Sequence, residues 1–115
     1  MIYNVGSVVV VPFPFTDKHT TKKRPAVVIS TEHYQTKTKH VMLLMVTSAK
    51  QSTWAFDTPI TDLSSAGLSQ PCIIRQKLFS IDEQLIIKQT GHLSAIDTQT
   101  LLAQTRQVVA TNPPQ

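Results

Sequence analysis

Lys22-Lys23-Arg24-Pro25 is the run in this chain best suited to chemistry. A polar, basic loop closes on it, and an apolar β-branched run follows at once. Pro25 fixes its own backbone and carries no N–H to compete for an acceptor. A guanidinium held at the lip of a sheet in this way meets a phosphate with paired donors. The same residues also suit an ordinary surface cation ending a basic loop, and the pattern alone weighs the two about evenly. Thr47 and Ser48 close another apolar run, where hydroxyls emerge into solvent. Such residues more often simply end a strand and make a turn. Arg75 interrupts an apolar strand, and Lys77 lies two residues on, on the same side. Their plain alternative is an ion pair, with Asp82 or Glu83 as the nearby acids. His19, five residues before Arg24, titrates near neutrality and can serve as a base, although a loop histidine is usually only solvated.

Other chemistries find little footing. No cysteine pair, H-x-x-x-H or H-E-x-x-H is present, so the expectation is no metal and no cofactor. The three glycines, at 6, 67 and 91, form no phosphate-cradling loop. Cys72 sits in Pro-Cys-Ile-Ile and reads as a buried structural thiol.

Short strands must position these groups. Ser7–Phe13 is Val-rich and apolar on both faces, so it reads as a central strand, with Pro12 and Pro14 ending its pairing. Residues 25–30 and 40–47 read as two more strands, with a helical turn or loop at 32–39. Trp54, Phe56 and Thr58 alternate against Ala55, Asp57 and Pro59, suggesting a half-exposed strand over 53–60. Asp62 to Gly67 reads as a helical turn with Asp62 as its N-cap and Gly67 as its stop. Further strands are expected over 71–77 and 84–89. Ser94 and Asp97 form a capping-box pattern that opens a final helix, with an apolar stripe at Leu101, Leu102, Thr105, Val108 and Val109. Asn112-Pro113-Pro114 stops it. This pattern describes a mainly β protein, a small barrel with a packed C-terminal helix.

A length of 115 residues fits one domain spanning 1–115, and 41% hydrophobic residues opposes disorder. No apolar run approaches the roughly 18 residues of a membrane helix. The N-terminus has no basic-then-apolar leader, and Cys72 is a lone cysteine, so a cytoplasmic chain is expected. The net charge is +4, and its distribution is one-sided. Lys18, Lys22, Lys23, Arg24, Lys37, Lys39 and Lys50 fall between 17 and 50, opposed there only by Asp17 and Glu32. That imbalance favours a polyanion such as nucleic acid, with a merely solvated basic face as the alternative.

The run Gly6 to Ser30, GSVVVVPFPFTDKHTTKKRPAVVIS, resembles the opening of the MazF/PemK toxin endoribonucleases. The likeness continues at Val41 to Ser48, at Leu68 to Ile87, and at Gly91-His92-Leu93-Ser94. It implies an SH3-like barrel with added helices, usually a homodimer. It implies metal-independent cleavage of single-stranded RNA by the 2′-hydroxyl, leaving a 2′,3′-cyclic phosphate and a 5′-hydroxyl. Arg24 and Thr47 fall on catalytic positions of that family. Arg24 would stabilise the phosphorane, and Thr47 would hold a phosphate oxygen. His19 matches a loop histidine of some members. Lys22, Lys23, Ser48, Lys50, Arg75 and Lys77 would line the RNA groove. Several members carry an acid–Gln pair and a basic residue where this chain reads Gln76-Lys77 and Phe79. The implied partner is an acidic antitoxin lying in the same groove. A rival within the same fold is a non-enzymatic toxin that binds a topoisomerase subunit through C-terminal residues including a tryptophan. The ending VVATNPPQ has no aromatic residue and speaks against it. A catalytically dead member that binds nucleic acid or protein is the other alternative.

Overall fold

The computed structural model describes residues 2–13, 22–50 and 53–114. Its elements run β1 (Ser7–Pro12), β2 (Lys23–Val28), α1 (Glu32–Thr38), β3 (His40–Ser48), β4 (Thr58–Pro59), α2 (Leu63–Ala66), β5 (Cys72–Asp82), a 3-10 turn (Glu83–Leu85), β6 (Lys88–His92) and α3 (Ala95–Val108). The six strands pair antiparallel in the order β4-β5-β3-β2-β1-β6 and curl into a half-barrel with a C-terminal helix. The expected mainly β architecture is therefore observed.

Side-chain alternation divides the core between the two faces of the sheet. Val8, Val27, Leu44, Val46 and Ile74 point to one face, where Ala66 of α2 and Leu101 of α3 close over them. Val9, Val11, Ala26, Val28, Val41, Leu43 and Ile81 point to the other, with Tyr3 packed against them. Burial of both faces explains why β1 to β3 read as nearly continuous apolar runs. Gln35 of α1 is fully buried and clamps the N-terminal segment, accepting from the Tyr3 N–H and donating to the Tyr3 carbonyl, each at 2.8 Å.

Local capping chemistry sets the helix ends. The Asp62 carboxylate accepts from the Ser65 N–H at 3.0 Å, and Gly67 stops α2 at φ 71°. Ser94 accepts from the Asp97 N–H at 3.1 Å and opens α3. The Asp97 carboxylate turns away from its own helix, accepting from the Thr61 and Asp62 N–H groups and from the Thr61 hydroxyl. Burial alone would push this carboxyl up, but those bonds and the Ser94 hydroxyl overcome it and hold it below the usual carboxylate value. Asp97 thus ties α3 to the segment between β4 and α2.

Three expectations need correction. The strand expected over 53–60 contracts to Thr58–Pro59, because residues 54–57 form a turn: the Trp54 N–H donates to the Asp57 carboxylate at 2.9 Å, and Phe56 adopts φ 65°. The strand expected over 84–89 becomes the 3-10 turn followed by β6, because Asp82 caps the turn by accepting from the Gln84 N–H. The apolar stripe of α3 is only partly core: Leu101 is buried, while Val108 and Val109 are 45% and 44% exposed, and the helix ends at Val108, before Asn112.

Candidate active site

Antiparallel pairing brings the two leading candidates together. β2 and β3 align Ala26 with Met45, and carrying that register two residues on sets Arg24 across from Thr47. On its other side Arg24 pairs with Val11 of β1. Alternation then places Phe13, Arg24, Met45, Thr47, Arg75 and Lys77 on one sheet face, beyond the cluster built around Val9 and Leu43. The Phe13 N–H donates to the Lys22 carbonyl at 2.9 Å and closes the base of the loop between β1 and β2.

Two hollows meet at Arg24 and Thr47. One, of about 350 Å³, is lined by Lys22, Lys23, Arg24, Thr47, Ser48 and Cys72 among others. The second, of about 370 Å³, is lined by Phe13, Arg24, Met45, Thr47, Arg75 and Lys77 among others. The Arg24 guanidinium lies over the Phe13 ring, 5.4 Å from its centroid. Its Nε is buried and finds no hydrogen-bond acceptor among the described residues. A buried donor left unpaired costs about 1–3 kcal/mol. A phosphate oxygen at the junction would satisfy it with a charge-assisted bond. Thr47 is half-buried beside it, and no hydrogen bond to another described residue holds its hydroxyl.

The remaining candidates divide. Lys22 and Lys23 are exposed on the rim of the first hollow. Ser48 lines that hollow, but its hydroxyl accepts from the Lys50 N–H at 3.2 Å and shapes the turn after β3. Lys50 is exposed beyond it and borders neither hollow. Arg75 gives two donors to Asp57, Nε to Oδ1 at 3.2 Å and a terminal nitrogen to Oδ2 at 3.0 Å. The hydrogen bond to Asp57 raises the pKa of Arg75. Its acid partner is therefore Asp57, whereas Asp82 lies at the far end of β5. The ammonium of Lys77 stands 5.2 Å from the centroid of the Trp54 ring. His19 lies outside the described residues.

The one-sided charge of residues 17–50 does not form one patch. Lys37 and Lys39 belong to α1 and its cap, next to His40, which starts β3 opposite Asp82. Thr47 is near the other end of the same strand, roughly 23 Å away at about 3.3 Å per residue. Cys72 is half-buried and borders the first hollow, more accessible than its apolar neighbours suggest. Burial pushes its thiol pKa up and keeps it protonated, which suits a wall rather than a nucleophile. Sequence reasoning missed Phe13, which supports Arg24, and Asp57, which engages Arg75. The Pro12-Phe13-Pro14 run and the Trp54-to-Asp57 spacing were the available signals. Among the described residues no three His, Cys, Asp or Glu side chains converge, and no helix is long and apolar enough to cross a membrane.

Comparison with known proteins agrees with this fold. The curved sheet superposes on MazF of Deinococcus radiodurans from a MazE–MazF crystal structure, with a TM-score of 0.72 and 18% identity over 97% of this chain and 99% of that one. It also superposes on an endoribonuclease from a mycobacterial species, solved with its cognate antitoxin, with a TM-score of 0.74 and 11% identity over 96% and 97% of the two chains. The Mycobacterium tuberculosis toxin MazF-mt6 gives a TM-score of 0.67 at 18% identity over 85% and 90%. At such identities these likenesses establish the fold. No curated protein matches the chain. The family model described as PemK-like, MazF-like toxin of type II toxin–antitoxin systems matches residues 4–109, and the chain belongs to that family.

Proposed function

We propose that this chain is the toxin of a type II toxin–antitoxin pair and acts as a metal-independent endoribonuclease on single-stranded RNA. The observation that carries the reading is the buried Nε of Arg24, without an acceptor among the described residues, at the junction of two hollows and opposite Thr47. In the proposed reaction a ribose 2′-oxygen forms a bond to the adjacent phosphorus, and the bond from phosphorus to the 5′-oxygen breaks. The 2′-hydroxyl proton passes to a base, a role we give to His19. The departing 5′-oxygen takes a proton, leaving a 2′,3′-cyclic phosphate and a 5′-hydroxyl. Arg24 stabilises the charge that grows on the non-bridging oxygens, where a preorganised donor acts best. Arginine holds its proton throughout, so it is not the base. Thr47 donates to a phosphate oxygen and orients it. Lys22, Lys23 and Lys77 carry the RNA backbone towards the junction.

The same cationic rim suits an acidic antitoxin segment, in keeping with the antitoxin-bound state of structural relatives. For the homodimer we assign the apolar hollow of about 260 Å³ lined by Ile29, Met42, Leu78, Leu102 and Val109 among others, where Leu78 is 48% exposed. Incubation with a long single-stranded RNA in EDTA, followed by mapping of the new ends, tests the reading. Cyclic phosphate and 5′-hydroxyl ends are expected. Intact RNA, or cleavage that stops in EDTA and returns with a divalent ion, would refute it.

A further inference from the structure

The turn that replaces the expected strand at 53–60 presents an aromatic ring at the free edge of β5. β4 covers that edge only at Ile73 and Ile74, and residues 54–57 lie beyond it, next to Arg75 and Lys77. Trp54 is 48% exposed, an unusual state for so large an apolar ring. Its backbone is nevertheless fastened at both ends of the turn. The Trp54 N–H donates to Asp57, the Asp57 N–H donates to the Trp54 carbonyl at 3.2 Å, and Asp57 is gripped by Arg75. Phe56 completes the turn at φ 65°, a conformation that a bulky residue rarely adopts and that clusters at ligand sites.

The surroundings of the ring select an occupant. The Arg75 and Lys77 cations lie 5.8 Å and 5.2 Å from its centroid. These two residues project from one face of β5, and both also line the hollow that contains Arg24 and Thr47. Asp57 meets the Arg75 charge, whereas no carboxylate among the described residues pairs with Lys77, which suits Lys77 to hold a phosphate. Gln76 projects from the opposite face of β5. There an apolar hollow of about 400 Å³ lies between Trp54, Phe56 and Val108, bordered by Gln76, whose amide donates to the Thr105 hydroxyl at 3.1 Å, and by Gln107, whose amide donates to Gln104 at 3.2 Å. A flat apolar wall, an amide edge and a neighbouring cation are together what an unpaired nucleobase with its phosphate requires.

We propose that Trp54 is a stacking platform for a base of single-stranded RNA close to the scissile phosphate, with Lys77 holding that nucleotide's phosphate and Gln107 meeting the base edge. The inference rests on the endoribonuclease reading and deepens it by naming a base-binding residue. Stacking on a protein aromatic contributes about 1–3 kcal/mol per base, equivalent to roughly 5- to 150-fold in affinity.

Trp54 is the only tryptophan in the chain, so its emission reports on this site alone. The probes are a mixed-sequence single-stranded 2′-O-methyl RNA, which lacks the attacking hydroxyl, and an abasic ribose-phosphate oligomer of the same length. Binding is followed separately through the anisotropy of a dye on each oligomer. The RNA should quench Trp54, and the abasic oligomer should not. Trp54→Ala should weaken RNA by roughly 5- to 150-fold and leave the abasic oligomer unaffected, while Trp54→Phe keeps most of the affinity. In cleavage assays the Trp54→Ala loss should fall on KM rather than kcat. RNA that binds without quenching, equal quenching by the abasic oligomer, or an unchanged KM in Trp54→Ala would each overturn the platform while the endoribonuclease reading stands. Emission that shifts when the protein alone is diluted would put a second copy on the ring and overturn it as well. RNA that neither binds nor is cut would remove both readings.

Discussion

Replacing Arg24 with leucine should slow RNA cleavage by about 10²–10³ and at the same time stabilise the fold. The two effects come from the same atoms. Arg24 Nε is buried with no acceptor among the described residues, which costs about 1–3 kcal/mol in the free protein. The offsetting gain is the guanidinium over Phe13, about 0.5–2 kcal/mol. Leucine retains much of the apolar stem that Arg24 lays along the sheet and removes the orphaned donor. The balance favours Arg24→Leu by about 1 kcal/mol, which for a chain of this size raises Tm by about 4 °C. Loss of one preorganised donor to a developing oxyanion costs about 10²–10³ in kcat. Urea unfolding and a cleavage assay on the same preparation, with wild type alongside, read both effects. An Arg24→Leu protein that cuts RNA at the native rate would refute the catalytic assignment. One that is inactive but markedly less stable would refute the argument that the buried Nε is held ready for an anion.

Three further outcomes follow from other contacts. The Asp97 carboxyl is held below its ordinary value, so its contribution to stability is full above about pH 3.9 and is lost as pH falls through the lower folded-state value; Asp97→Ala should cost about 2–4 kcal/mol near neutral pH and flatten the acid limb of a urea-stability profile, and an unchanged limb would contradict this. If Lys22, Lys23, Arg24 and Lys77 each meet a phosphate, log K for single-stranded RNA should fall with log salt at a slope on the order of −2 to −3; charge reversal at Lys22 and Lys23 should flatten the slope without changing the preferred sequence, and a salt-independent affinity would refute the basic rim. Leu78→Glu should yield a monomer in sedimentation equilibrium, and a surviving dimer would move the subunit contact away from the hollow beside α3.

Local signals proved legible wherever the deciding contact is close in sequence. Asp62, Gly67 and Ser94 cap their helices as read, because each cap bonds an N–H or carbonyl within a few residues. Arg24 and Thr47 were singled out at the ends of apolar runs, and the antiparallel pairing of β2 and β3, which the sequence did not specify, makes those ends neighbours. The errors fall where a distant residue decides. Alternation over 53–60 argues for a strand, but Asp57 is taken by Arg75 and by the Trp54 N–H, and that pair closes a turn instead. The run 84–89 fails similarly: an aspartate that ends β5 starts a 3-10 turn, and β6 begins later to pair with β1. Its Gly91 lies so close to the Ser65 carbonyl that any side chain would collide there, a restriction visible only once α2 and β6 have met.

Charge shows the same boundary between local and distant information. Sequence proximity grouped Lys37 and Lys39 with Lys22 and Lys23, but β3 separates the two pairs along its length. Arg75 and Lys77, remote in sequence, reach the site instead because β5 runs antiparallel to β3 and sets Arg75 opposite Met45. The sheet therefore assembles one face from β2, β3 and β5, with its cations supplied by β2 and β5 and each strand contributing residues that its own apolar alternation leaves on that side. The electrostatics of that face are uneven. Asp57 neutralises Arg75 and fixes Trp54, whereas no carboxylate among the described residues pairs with Arg24 or Lys77. A ligand that brings a phosphate and an aromatic ring together fits that division better than one that brings charge alone, and single-stranded RNA has that composition at each nucleotide step.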